Sequence, residues 1–163
     1  HRSSALITFQ HLLPGMKARN DAFLRECARV GIRVEAQDIY RVSANPYASI
    51  FEAEQFRLRE GGPTVLVISS EKIAVGFCME FARRGIRVPE DISVMGRGNL
   101  KFCMSCCPEI TSIDENLSEI GQRATTLLLE HIDGNDTVPY LEYFPHKLVI
   151  RNSTASAPAE KGI

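Results

Sequence analysis

The sequence predicts an α/β fold built on a mainly parallel, twisted sheet with helices on both faces. Three observations carry this. Short runs rich in β-branched and other apolar residues, such as ALITF at 5–9 and TVLVI at 64–68, alternate with longer stretches whose apolar residues recur at helical intervals. The strand-like runs are almost continuously apolar, as parallel strands covered on both faces are. Glycines stand where the helical stretches stop, at Gly31, Gly61-Gly62 and Gly85. Regular alternation of this kind is solved by one sheet sandwiched between helices.

The elements follow in order. Residues 5–9 read as a buried strand broken by Pro14-Gly15. MKARNDAFLRECARV then places Met16, Phe23, Cys27 and Val30 at helix-like intervals. Residues 38–42 form a second strand. Asn45-Pro46 has the cap-then-proline order of a helix start, and that helix is expected to run to about residue 60. Residues 64–68 make a central strand. Ser69 or Ser70 can cap the next helix, whose inner face is Ile73, Phe77 and Phe81. Strands at 92–95 and 111–113 follow. The helix at 117–131 lines up Ile120, Ala124, Leu127, Leu128 and His131. A last strand at 148–150 leads into the polar NSTASAPAEKGI, read as a disordered tail over 152–163. In such sheets ligands sit beyond the carboxyl ends of the strands, which here are residues 10–15, 43–45, 69–72 and 97–99.

Bulk properties exclude several classes. The 163 residues are 44% hydrophobic, enough for one domain with a real core. Nineteen basic and twenty acidic side chains leave a net charge of −1, so the chain has no general pull towards nucleic acid. No run reaches transmembrane length and no signal segment opens the chain, so no membrane partner is expected. The chain starts at His1 rather than Met, which reads as a processed form or a piece of a longer protein. Five cysteines with no framework spacing fit a reducing cytoplasm.

GIRVPEDISVMG, then PEITSIDENLSEIGQRATTLLLEHIDG, then KLVIRNST form an ordered motif string. It resembles the effector-binding domain of the lactose-repressor (LacI/GalR) family of bacterial transcription regulators. The match is dense over residues 63–154 and looser over 1–60, where Ala22 stands for a family glycine. The resemblance implies a periplasmic-binding-protein-like fold of type I. Residues 1–151 would be one lobe, with 117–145 returning towards a first lobe that this sequence mostly lacks. It implies a small polar effector, a sugar, sugar derivative or purine, bound between lobes. It further implies a homodimer, no cofactor and no catalysis, with operator DNA bound only through a helix-turn-helix not present in this chain.

The resemblance also nominates residues. Arg19 falls where the family places an arginine on sugar hydroxyls or a purine carbonyl, work that suits a rigid fork of donors; the competing reading is a solvated helix arginine. Ser70 and Glu71 align with a polar pair after the third strand, and equally suit a helix cap with a first-turn acid. Gly96-Arg97-Gly98-Asn99 departs from the family's G-[FY]-D-[DN]: Gly98 replaces the effector-binding aspartate and Arg97 the aromatic residue. Arg97 therefore favours an anionic effector, unless the loop has simply lost its ligand contact. Glu115, at a hinge position commonly glutamine, can accept hydroxyls or pair with Arg97. The family's aromatic platform aligns with Ala44, and Tyr47 is a candidate substitute.

FCMSCC at 102–107 contains a C-x-x-C. Structural zinc needs four ligands, and neither Cys27, Cys78, His1 nor His11 repeats the spacing. A redox pair normally opens a helix, whereas Pro108 and a strand follow here. The stretch reads as an apolar loop at a twofold subunit contact, beside the helix that carries Cys78, and no metal site is expected. Cys78 to Arg84 matches C-x5-R only formally, because that chemistry needs a phosphate-wrapping loop and this segment has helical periodicity. No nucleophile elbow, P-loop or H-E-x-x-H occurs. Two rival readings remain open: an extracytoplasmic sugar-binding protein of the same fold, and a small cysteine-dependent α/β enzyme.

Overall fold

A computed structural model describes residues 1–45, 48–135, 139 and 141–157. Six strands form one sheet, β1 (Ser4–Phe9), β2 (Ile39–Val42), β3 (Val65–Ile68), β4 (Ser93–Arg97), β5 (Thr111–Asp114) and β6 (Lys147–Val149). Their order is β2-β1-β3-β4-β5-β6. The first five are parallel and β6 runs antiparallel against β5. The chain winds outwards from β1 to β2, then restarts at β3 on the other side of β1, so the sheet reverses its winding between β1 and β3.

The two faces are covered unequally. On one face lie α2 (Ser49–Ala53) and α3 (Glu71–Arg83). Ala5, Ile7, Leu66, Ile68 and Val94 point to it and join Ile73, Phe77 and Phe81 of α3 in one core. The spacing of four residues along α3 brings those three side chains onto one stripe. Phe56 meets Phe81 at 5.6 Å and Tyr40 at 5.3 Å between ring centroids, and Phe77 meets Phe81 edge-on at 5.9 Å. On the other face Thr8 accepts a hydrogen bond from Asn20 of α1 (Pro14–Arg29) at 2.9 Å, and Leu6 and Cys27 are buried. Gly31, at φ +75, lets the chain leave α1.

The sequence expectations need four corrections. The helix expected up to about residue 60 is only Ser49–Ala53. The chain breaks out of it because Phe56 must reach the core and Arg59 must reach the fully buried Asp38, which it grips with two bonds of 2.7 and 2.9 Å. Val30 is exposed past the end of α1, leaving Cys27 as the one buried residue of that helix. Ser70 stands at the head of α3, yet its hydroxyl makes no capping bond. The tail is not free over 152–155. Ser153 is fully buried, its hydroxyl donating to the Val94 carbonyl at 2.6 Å and accepting from the Thr111 N–H at 2.8 Å.

α4 (Leu117–Ile132) has no buried residue, although Leu117, Leu128, Leu129 and Ile132 are apolar and more than half exposed. Among the described residues no helix is long and apolar enough to cross a membrane.

Candidate functional site

Four segments converge at the carboxyl ends of the parallel strands. Arg19 comes from the second turn of α1, which the Asn20–Thr8 bond fixes to the end of β1. Ser69 follows β3, Arg97 closes β4, and Glu115 follows β5. The Arg97 guanidinium donates from Nε and Nη2 to the Ser69 carbonyl at 3.2 and 3.1 Å, and from Nη1 to Glu115 Oε1 at 2.6 Å. Arg19 Nη1 reaches the same oxygen at 3.3 Å. Two guanidinium groups thus share one carboxylate oxygen across the β1–β3 reversal, where open α/β sheets hold their ligands. Partial burial, and then the neighbouring Arg97 charge, push the Arg19 pKa down from its ordinary value, and Glu115 opposes them.

The segment that carries Glu115 is held from both sides. Asp114 accepts the Asn116 N–H at 2.8 Å and the Asn99 amide at 3.0 Å, and these bonds hold its carboxyl below the usual range. Asn116 takes the left-handed conformation at φ 57, which turns the chain from β5 into α4.

Of the nominated residues, Arg19, Arg97 and Glu115 are brought together. Ser70 lies beside them, partly exposed, with no hydrogen bond to its hydroxyl among the described residues. Glu71 and Asn99 are not brought into the cluster. Glu71 is fully buried, and its Oε2 accepts the Leu100 N–H at 2.5 Å, because Gly96 leaves the space. A Cβ at Gly96 would stand 2.7 Å from Glu71 Cγ. Asn99 ties loops together: its amide donates to Asp114, its carbonyl accepts from Arg151, and its N–H bonds Ser112 at 3.1 Å. Ala44 is exposed, and Tyr47 lies outside the described residues. Sequence reasoning passed over Asp114, whose D-x-N turn ahead of a helix was a readable signal. It also passed over the Ser69 carbonyl, a backbone group that no side-chain pattern can announce.

The cysteines sit apart from this cluster. Cys103, in the 3-10 turn Lys101–Ser105, is fully buried. Burial first, then the Glu71 carboxylate, push its thiol up to about 12, and burial does the same to Cys78. Neither thiol has the depressed pKa a nucleophile needs. Among the described residues no three His, Cys, Asp or Glu side chains are grouped to hold a metal.

A mainly parallel sheet with a winding reversal and polar groups gathered at its strand ends places the chain in the class of open, doubly wound α/β folds. The chain belongs to the periplasmic binding protein-like domain family, whose profile matches residues 1–154. Its relatives are LacI-family transcriptional regulators, aligned through their effector-binding domains. It is 28% identical to the HTH-type transcriptional repressor CytR of Escherichia coli K12, over 97% of this chain and 46% of that protein. A LacI family regulator from Bifidobacterium animalis superposes with a TM-score of 0.85 at 28% identity, over 98% of this chain and 56% of that one. A sugar-binding LacI family regulator from Escherichia coli, solved with phosphate, gives 0.82 at 27%, over 97% and 56%. The chain spans about half the length of the curated relatives it matches.

Proposed function

We propose that this chain is the effector-sensing part of a LacI-like bacterial transcriptional regulator. It binds a small polar molecule at the carboxyl ends of β1, β3, β4 and β5 and catalyses nothing. The observation that carries this is the Arg19–Glu115–Arg97 cluster, in which three segments far apart in sequence present donors and an acceptor at one strand edge. The exposed apolar face of α4 supports a second lobe packing there, so that the effector is enclosed between lobes. Effector binding then biases the angle between lobes, and through it DNA-binding heads supplied from outside this chain. A cytoplasmic location of the intact protein belongs to the same reading, supported by the transcriptional-repressor names of its relatives.

Homodimerisation is part of the same reading. Met79 of α3 and Phe102 and Met104 of the adjoining turn are exposed, apolar and uncharged, as an interface core prefers. Sedimentation of the intact protein should show a dimer that Met79→Asp with Met104→Asp dissociates.

The effector role is tested by calorimetry of the intact protein against neutral sugars, sugar phosphates, nucleosides and nucleobases. Arg19→Ala should weaken the best ligand by about tenfold or more, the loss of one charge-assisted bond in a partly dry cleft. Unchanged affinity would show that Arg19 does not touch the effector.

A further inference from the structure

We propose that Glu115 is a displaceable internal counter-ion, and that the effector carries an acid group that takes its place on Arg97 and Arg19. The proposal rests on the reading of this cleft as the effector site and names the ligand's chemistry. Arg97 is anchored through two of its nitrogens to the Ser69 carbonyl, which leaves Nη1 as the edge facing Glu115. Its side chain and that of Glu115 are each 18% exposed, and Arg19 is 45% exposed, so the cluster is reachable from solvent.

The pairing is incomplete. A guanidinium is best satisfied by two parallel bonds to a carboxylate or phosphate. Here both arginines reach Glu115 through Oε1 alone, and neither has the paired arrangement. Two cations sharing one anion also leave a surplus positive charge. A phosphate or carboxylate on a small polyol brings enough acceptor oxygens to engage both arginines and cancels that surplus. A neutral polyol brings no charge, and the acceptors it would need are scarce on this side of the cleft. Gly98 has no side chain, and Asp114 already accepts from Asn116 and Asn99.

Displacement also has a place to act. Glu115 is the residue between the end of β5 and Asn116, which heads α4. Replacing it on Arg97 frees a charge at the connection into α4, so occupancy of the site is felt where the chain leaves this lobe.

The test titrates wild type, Glu115→Gln and Arg97→Gln of the full chain with inorganic phosphate, ribose 5-phosphate, gluconate and ribose. Glu115→Gln should tighten the acids by about tenfold, and Arg97→Gln should lose the acids. Ribose 5-phosphate against gluconate separates a phosphate from a carboxylate ligand. If Glu115→Gln alters none of the acid affinities, the counter-ion role is wrong. Should that variant not fold, equal phosphate affinity of wild type and Arg97→Gln overturns the proposal as surely. Ribose binding that Arg19→Ala abolishes, with no acid bound, would sink this proposal and leave the effector-domain reading standing.

Discussion

Ser153→Ala should destabilise this domain far more than a serine in a polar terminal segment has any right to. The Ser153 hydroxyl donates to the Val94 carbonyl at 2.6 Å and accepts the Thr111 N–H at 2.8 Å, and the residue is fully buried. β4 and β5 pair from Met95↔Thr111 onwards, so Val94 lies just before the ladder begins. Ser153 fills that gap, and its own carbonyl accepts the Val94 N–H at 2.8 Å. Alanine leaves one backbone donor and one acceptor buried without these partners, at roughly 1–3 kcal/mol each. Because the strap can shift and admit water, the sum is best taken as about 2–4 kcal/mol. For a chain of this size that is roughly a 4–16 °C fall in Tm. Urea unfolding of Ser153→Ala beside the exposed control Ser105→Ala measures it, the control staying within about 0.5 kcal/mol. Amide exchange at Thr111 gives a local reading, since its protection should fall in the variant. Equal stability of the two variants, with Thr111 still protected, would refute the reasoning.

Gly96→Ala should cost about 1–3 kcal/mol, because its Cβ would meet Glu71 Cγ at 2.7 Å and Ile110 Cγ2 at 3.3 Å; a thermal melt identical to wild type would mean that Glu71 can step aside. Timed iodoacetamide labelling read by mass spectrometry should modify exposed Cys107 first, and leave Cys78 and Cys103 nearly untouched at neutral pH, with thiolate forming only as pH rises towards about 12. Rapid selective labelling of Cys103 would restore the cysteine-enzyme reading. Asp114 has a folded pKa below its unfolded value, so its contribution is present above about pH 4 and lost as pH falls through the folded value. The acid limb of the stability profile should therefore be shallower in Asp114→Asn, and an unchanged limb would show that the Asn116 and Asn99 bonds do not matter to folding.

The sheet was readable because its strands are local objects. TVLVI and ALITF announce themselves by composition, and Ile73, Phe77 and Phe81 by period. What failed was set by distant partners. The helix expected from Asn45-Pro46 to about residue 60 is too long because nothing in EQFRLRE says that Phe56 belongs under Tyr40 and Phe81, or Arg59 on Asp38. Ser153 was assigned to a free tail because its value lies in two backbone groups some forty and sixty residues away. At the site, Arg19, Arg97 and Glu115 could be nominated through family spacing. Glu71 could not be excluded the same way: an acid opening a helix looks identical whether it faces solvent or, as here, a glycine-made hollow.

The departures from the family pattern at Arg97, Gly98 and Glu115 make one consistent change of charge. In the pattern that the resemblance implies, an effector-binding aspartate follows β4, and the aromatic and hinge positions are neutral. Here the acid has moved to the end of β5 as Glu115, Gly98 is blank, and Arg97 adds a cation. The local sum shifts by one positive charge while an internal pair is kept, and that surplus is what the proposed acid ligand would cancel. Such a site has a signature that a neutral-sugar site lacks. Attraction between a partly exposed cation and an anionic ligand is screened over about 10 Å at 0.1 M salt and about 3 Å at 1 M. Affinity for ribose 5-phosphate should therefore fall several-fold, roughly 1 kcal/mol, between those conditions, whereas affinity for ribose should barely move. Salt-independent binding of the phosphate ester, with Arg97 intact, would show that its charge is not what the cleft reads.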